Sequence, residues 1–117
     1  MAHQNKLRKF SRPRKGRVAL MRSLARSLVM HESMSTTEAK AKELRPFVEK
    51  LVSRARIDTV ANRRLVMARV HDAAMVKKLF TAIGPRYKDR TGGYLRIVKR
   101  SKRGKSDARE LAYIAFV

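Results

Sequence analysis

The 117-residue sequence has no cysteine and no tryptophan, few prolines and glycines, and no acidic residue before Glu32. Each shortage closes off a class of protein. Without cysteine there can be no disulfide, no thiolate metal site and no cysteine nucleophile, and the composition fits a reducing compartment. The longest unbroken apolar run is the last seven residues, Leu111 to Val117. A membrane-spanning helix needs about 20 apolar residues, so no membrane span is expected. The start of the chain lacks both an apolar core and a small-residue cleavage site, which argues against a secretory signal. It is rich in arginine but sparse in serine, which argues against an organellar presequence.

The shortage of acid is the most telling. The first 31 residues carry nine cations (Lys6, Arg8, Lys9, Arg12, Arg14, Lys15, Arg17, Arg22 and Arg26) and no carboxylate. Over the whole chain 30 Lys and Arg face 9 Asp and Glu, for a net charge of +21. Such a chain repels itself and is ordered most readily by a dense negative partner. Nucleic acid, with its continuous line of phosphates, is the first candidate; an anionic membrane surface is the second. A hydrophobic content of 44% still supports a folded body of one domain, with a core of modest size.

Along the chain, residues 1–16 read as an extended basic arm punctuated by Pro13 and Gly16, and residues 17–117 as a single domain. Met21, Leu24, Ala25 and Leu28 recur at helical spacing, so a helix is expected over 17–31. Ser33 to Thr37 is polar and without helical pattern, a short strand or a cap. Ser35 and Glu38 have capping-box spacing, and Thr36 or Thr37 is the alternative cap. A second helix runs to about Arg56 on the stripe Ala41, Leu44, Val48, Leu51, Val52 and Ala55, and Pro46 inside it is expected to kink or split it.

Asp58 or Thr59 caps a third, basic helix ending near Val70. Asp72 caps a fourth, whose buried side is Met75, Val76, Leu79, Phe80 and Ile83. Gly84-Pro85 reads as its stop, with Gly84 in the left-handed position after the last turn. The period then changes. Residues 94–100 and 111–117 read as two strands, the second more buried, joined by the basic loop Ser101 to Glu110. An antiparallel hairpin covered on one face by helices makes a two-layer α+β fold.

Catalytic material is scarce. His3, His31 and His71 have no zinc-ligand spacing, and His31-Glu32 and His71-Asp72 fall at element boundaries, where capping or surface roles are expected. Gly92-Gly93 lacks the spacing of a phosphate loop and reads as a tight turn. No nucleophile, general base or metal site is nominated, and no cofactor or small-molecule substrate is expected. The basic clusters are richer. Beyond the arm and first helix, they comprise Arg63 and Arg64, then Arg86 and Arg90, then Arg96, Lys99, Arg100, Lys102 and Arg103. Tyr87 and Tyr94 flank the second cluster and either stack on unpaired bases or pack inside. A basic architectural DNA-binding protein is the competing reading of composition alone.

Several ordered blocks carry a resemblance. They are His31-Glu32 followed by Thr36-Thr37-Glu38-Ala39-Lys40-Ala41-Lys42-Glu43-Leu44-Arg45-Pro46; Asn62-Arg63-Arg64-Leu65; Gly84-Pro85-Arg86-Tyr87; and Arg90-Thr91-Gly92-Gly93-Tyr94-Leu95-Arg96-Ile97. In this order, over roughly residues 17 to 117, the chain resembles the bacterial-type large-subunit ribosomal proteins of the L-seventeen family. The resemblance implies a helix, a strand, three helices and two strands, with Met34 to Thr36 as the first strand. It implies a structural, non-catalytic constituent of the large subunit, in a cytoplasmic or organellar ribosome. Its partners would be large-subunit rRNA near the peptide tunnel exit and neighbouring large-subunit proteins. Two stretches depart from the family pattern: the opening Met1-Ala2-His3-Gln4-Asn5 and the segment Arg103-Gly104-Lys105-Ser106-Asp107.

Overall fold

The structure, a computed structural model, describes residues 14–103 and 110–117, the side chains of 101–103 excepted. The arm positions Lys6, Arg8, Lys9 and Arg12 lie outside the described residues. The elements follow in the expected order: α1 (Arg14–His31), β1 (Ser33–Thr37), α2 (Glu38–Ala55), α3 (Val60–Val70), a composite α4, β2 (Leu95–Arg103) and β3 (Glu110–Phe116). The composite α4 runs without interruption through Ala73–Lys78, a π-helical segment Leu79–Ile83 and a last turn Gly84–Arg86. Helices cover one face of a three-stranded antiparallel sheet of order β1-β3-β2.

The apolar stripe of α2 is buried along its whole length, from Ala41 and Leu44 to Val52 and Ala55. It meets Ala25, Leu28 and Val29 of α1, Met75, Leu79, Phe80 and Ile83 of α4, and Ala112 and Ile114 of β3 in one core. Burying each of these larger side chains contributes about 1.5–3 kcal/mol. Register places Met34, Ile114 and Ile97 side by side across the sheet, so these residues form its inward layer. The buried side of α4 is the one expected.

Caps are made by short polar side chains. The Thr37 hydroxyl accepts the Lys40 N–H at 3.3 Å, Thr59 accepts from Asn62 at 3.1 Å, and Asp72 accepts from Met75 at 3.1 Å. Each satisfies a donor that the first helical turn leaves open. Thr37 thus takes the role for which Ser35 was also a candidate, and Thr59 rather than Asp58 caps α3.

Four local expectations are corrected. Helix α1 begins at Arg14 and includes Gly16; a glycine costs a helix about 1 kcal/mol, too little to stop one anchored downstream. Pro46 does not split α2. The carbonyl it deprives of a donor belongs to Lys42, and both residues lie on the exposed side of the helix, where solvent can stand in for the missing donor. Gly84 is not left-handed: with φ −54° and ψ −52° it is an ordinary helical residue, and the helix continues through Pro85 to Arg86. The Gly84 N–H bonds back to Leu79 O, five residues earlier. That wide turn relieves the crowding a proline ring makes with the preceding turn. Finally, the segment expected as a loop from Ser101 is strand as far as Arg103, and β1 joins the hairpin on the far side of β3.

The glycine at 84 answers a tertiary need. A Cβ there would lie 2.1 Å from the carbonyl oxygen of Ala55 and 2.6 Å from its carbonyl carbon. Only glycine lets α4 approach the end of α2 so closely.

Candidate nucleic-acid interface

Carboxylates sort the cations into two groups. In the first, an arginine or lysine is held by an acid or a carbonyl at a junction between elements. Arg26 of α1 binds the Asp72 carboxylate, and Arg22 Nε donates to Arg69 O at 2.8 Å. Together they pin α1 to the α3–α4 connection. Arg63 donates to both oxygens of Asp58 at 2.6 and 2.9 Å and lies 5.0 Å from the centre of the Phe80 ring. Lys99 sits 3.7 Å from Glu38 and 3.5 Å from Glu110.

Glu32 is the most heavily used of the acids. It adopts φ 68° between α1 and β1, a conformation that costs a non-glycine residue of order 1 kcal/mol. Its N–H donates to Leu28 O at 2.6 Å and its carbonyl accepts from Phe116 N at 3.1 Å. Its carboxylate takes two bonds from Arg86, at 2.6 and 3.1 Å, and faces Lys78 at 3.3 Å. The Arg86 hydrogen bonds, with help from Lys78, outweigh burial and hold this carboxyl down at about 2. Asp72 is lowered first by the Met75 N–H and then by Arg26, and Asp58 is lowered by Arg63. Burial pushes Glu38 up, but Lys42 and Lys99 overcome it and leave it low. All four are ionised at neutral pH and neutralise the cations beside them.

In the second group the cation faces outward. Arg14 and Lys15 are exposed on the first turn of α1, and Arg17 beside them is half-buried and makes no hydrogen bond or ion pair among the described residues; no described residue before Ala25 is fully buried. That half of the helix is less buried than the rest, with Met21 and Leu24 packed against the edge of the core. Arg64 of α3 is exposed and makes no hydrogen bond or ion pair among the described residues. Arg96 and Arg100 lie on the outward face of the sheet. The face is fixed by Arg100, whose Nη1 reaches across β3 to Ser35 Oγ of β1 at 2.9 Å. Arg90 turns back on its own loop and donates to Gly92 O at 3.2 Å. Lys102 and Arg103 continue β2, but their side chains lie outside the described part. The structure therefore does not gather the predicted cations into one cleft. It distributes them over the start of α1, α3 and the outer sheet.

The two tyrosines singled out beside the Gly92-Gly93 turn pack inside. Tyr87 is 5% exposed and Tyr94 is fully buried, with ring centroids 5.2 Å apart and planes tilted at 51°. Phe116 completes the cluster 6.3 Å from Tyr87. The Tyr87 hydroxyl donates to Val117 O, and the Tyr94 hydroxyl meets Ser53 Oγ at 3.0 Å. Buried rings with satisfied hydroxyls are core, so base stacking by this pair is corrected to packing. Gly93 has φ 64°, consistent with the turn. Sequence reasoning passed over Tyr113. It stands 42% exposed on the central strand, opposite Val98 of β2 and Ser35 of β1. Its signal was hidden because the last strand is apolar on both faces.

Nothing in the described residues assembles a catalytic centre. No group of three His, Cys, Asp or Glu among them is placed to hold a metal ion. A cleft between α2, α3 and the 91–94 loop contains Glu49 as its single carboxylate. That side chain accepts the Leu95 N–H at 3.2 Å. No described helix is long and apolar enough to cross a membrane.

The sequence is similar to known proteins. Residues 20–117 match the family described as ribosomal protein L17. The chain is 49% identical over 117 residues to the large ribosomal subunit protein bL17 of Hydrogenobaculum sp. (strain Y04AAS1), covering all of this chain and 99% of that one. It is 50% identical over 117 residues to the protein of the same name from Sphingopyxis alaskensis (strain DSM 13593 / LMG 18877 / RB2256), covering all of this chain and 84% of that one.

Proposed function

Because this chain belongs to the ribosomal protein L17 family and is thereby a structural constituent of the large ribosomal subunit, we propose that it binds large-subunit rRNA near the exit of the peptide tunnel and stabilises its fold and assembly. It works without catalysis, cofactor or small-molecule substrate, among neighbouring large-subunit proteins. In bacteria that ribosome is cytoplasmic. The observation that carries the reading is the division of the cations. The carboxylates neutralise a set of structural arginines and lysines at element junctions, and a second set faces outward in a chain of net charge +21. Outward cations replace the counterions of a phosphate chain, and that release drives binding with little regard to sequence.

Arg14, Lys15, Arg17, Arg64, Arg96 and Arg100 are the first contacts in this reading. Lys6, Arg8, Lys9 and Arg12 of the arm, with Lys102 and Arg103, extend it. Arg22, Arg26, Arg63, Arg86, Arg90 and Lys99 are oriented by internal partners and offer their remaining N–H groups.

The absence of native cysteine gives a direct test. A single Arg64→Cys variant carrying a tethered iron chelate is assembled into large subunits, and hydroxyl-radical cleavage of the rRNA is mapped. Cuts confined to rRNA lining the tunnel exit are expected. Cuts at the face that meets the small subunit would refute the location, and failure to sediment with large subunits in high salt would refute the assembly role.

A further inference from the structure

No described element covers the outer face of the sheet, and its centre is an aromatic ring. Register and alternation put Ser33, Ser35 and Thr37 of β1, Leu111, Tyr113 and Ala115 of β3, and Arg96, Val98 and Arg100 of β2 on this side. Tyr113 is 42% exposed and Val98 49% exposed. The Tyr113 hydroxyl makes no hydrogen bond among the described residues. Among the described residues the face carries no carboxylate. Glu110 has the opposite parity on β3, and Lys99, two residues from Ile97 on the inner side, is the cation that meets it. Arg100 is laid across β3 beside the tyrosine by its bond to Ser35, and Arg96 stands two residues away on β2.

From this we infer that the outer sheet face is a stacking platform for one unpaired nucleotide of RNA. The base lies on the Tyr113 ring, its edge rests against Val98, and its flanking phosphates are held by Arg96 and Arg100. The inference rests on the rRNA-binding reading and adds to it a residue and a mode of contact. An apolar protein partner would cover Val98 and Tyr113 equally well, but it would have to desolvate two guanidinium groups that the face supplies with no acid. A polyanion with a flat apolar base satisfies both features at once. Exposed aromatics on an open sheet take bases because every base has a π face. Duplex RNA keeps its bases stacked internally and cannot use the ring.

The test compares two fluorescein-labelled probes by anisotropy in moderate salt: a single-stranded decamer of oligoadenylate and a 12-base-pair RNA duplex. Val favours strand structure and keeps the Val98 contact, so Tyr113→Val is the principal variant, with Tyr113→Thr in reserve if circular dichroism shows misfolding. Stacking on one base is worth about ten- to a hundredfold in affinity. The valine variant is expected to lose that factor on oligoadenylate and to bind the duplex unchanged, and Tyr113→Phe is expected to bind both probes like the wild type. Unchanged oligoadenylate binding by the valine variant would overturn the proposal. So would an equal loss on the duplex, or a loss in Tyr113→Phe as large as in the valine variant. If the valine variant binds RNA normally yet no longer sediments with large subunits, the face docks a protein and the nucleotide proposal falls. A wild-type chain that binds neither probe, nor protein-free large-subunit rRNA, would remove the rRNA reading as well.

Discussion

Gly84→Ala asks whether this glycine serves the backbone or the packing. A new Cβ would stand 2.1 Å from Ala55 O, 2.6 Å from Ala55 C and 3.0 Å from Leu79 O. All three are backbone atoms, so no side-chain rotation can relieve the contact. Restoring an ordinary carbon–oxygen separation requires α4 and the end of α2 to part by roughly 1 Å within a close-packed core. Overpacking of this kind costs about 1–3 kcal/mol and occasionally more. A backbone-on-backbone clash belongs at the upper end. Against it, alanine gains about 1 kcal/mol over glycine in helix propensity, and the helical φ at residue 84 lets that gain act in full. The expected net loss is therefore about 2 kcal/mol, or roughly 8 °C in melting temperature for a domain of this size. Urea unfolding of the free protein followed by circular dichroism measures it, with an unchanged m-value taken as the sign of an unchanged unfolding reaction. A variant as stable as the wild type, or more stable by the propensity term, would refute the close-approach argument.

Two other perturbations test the division of the cations. Glu32 has its folded pKa lowered from 4.5 to about 2 by Arg86 and Lys78, so its contribution is complete above about pH 4.5 and is lost as pH falls through about 2. The full shift would correspond to about 3 kcal/mol, but the side chain is 36% exposed, and solvent screening reduces the expected contribution to about 1–2 kcal/mol. Unfolding of wild type and Glu32→Gln compared at pH 6 and pH 2 should show the wild type losing that much more; parallel losses would show the ion pairs to be idle. Arg63 and Arg64 are neighbours with different duties. Arg64→Gln should lower the slope of log affinity for rRNA against log salt by about 1 with unchanged melting temperature. Arg63→Gln should lower the melting temperature by a few degrees through loss of Asp58 and Phe80. Reversal of these two outcomes would sink the assignment of structural and outward cations.

Where a rule is local and repeated, the chain was legible. The α2 stripe, the Thr59 and Asp72 caps, and the buried side of α4 follow from spacing and side-chain chemistry within one or two turns. Pro46 and Gly84-Pro85 misled because the same local rules ignore solvent and tertiary contact. Pro46 and Lys42 lie on the exposed side of α2, where solvent can stand in for the missing donor, and a π-helical turn admits Pro85. For the interface, charge could be counted but not apportioned. Arg86 finds Glu32 and Arg26 finds Asp72 across more than 40 residues of chain, a pairing no spacing encodes. Tyr87 and Tyr94 drew attention because glycines and arginines surround them, and those neighbours proved to shape a turn over a buried cluster. Tyr113 sits in a run without a polar residue, where alternation gives no sign of which side faces out.

A domain with this much positive charge folds in spite of its electrostatics, and the placement of its few acids explains how. Ion pairs this open to solvent contribute little net stability, so Glu32, Glu38, Asp58 and Asp72 do not supply the bulk of it; the apolar core does. Their effect is on position. Asp72 joins α1 to α4, Glu32 joins the α1–β1 turn to the end of α4, and Glu38 and Glu110 hold Lys99 between α2 and the hairpin. Each acid thereby neutralises a cation close to the folded body, where repulsion would act most strongly against packing. Among the described residues, the candidate RNA-facing cations left over are at the start of α1, on exposed α3 and across the outer sheet face, and Lys50, Arg54 and Lys77 add exposed cations on α2 and α4. Those are places where repulsion is screened by solvent until a phosphate chain displaces it. The same allocation that favours packing therefore leaves the surface cations that the proposed rRNA-binding reading assigns to phosphate contacts.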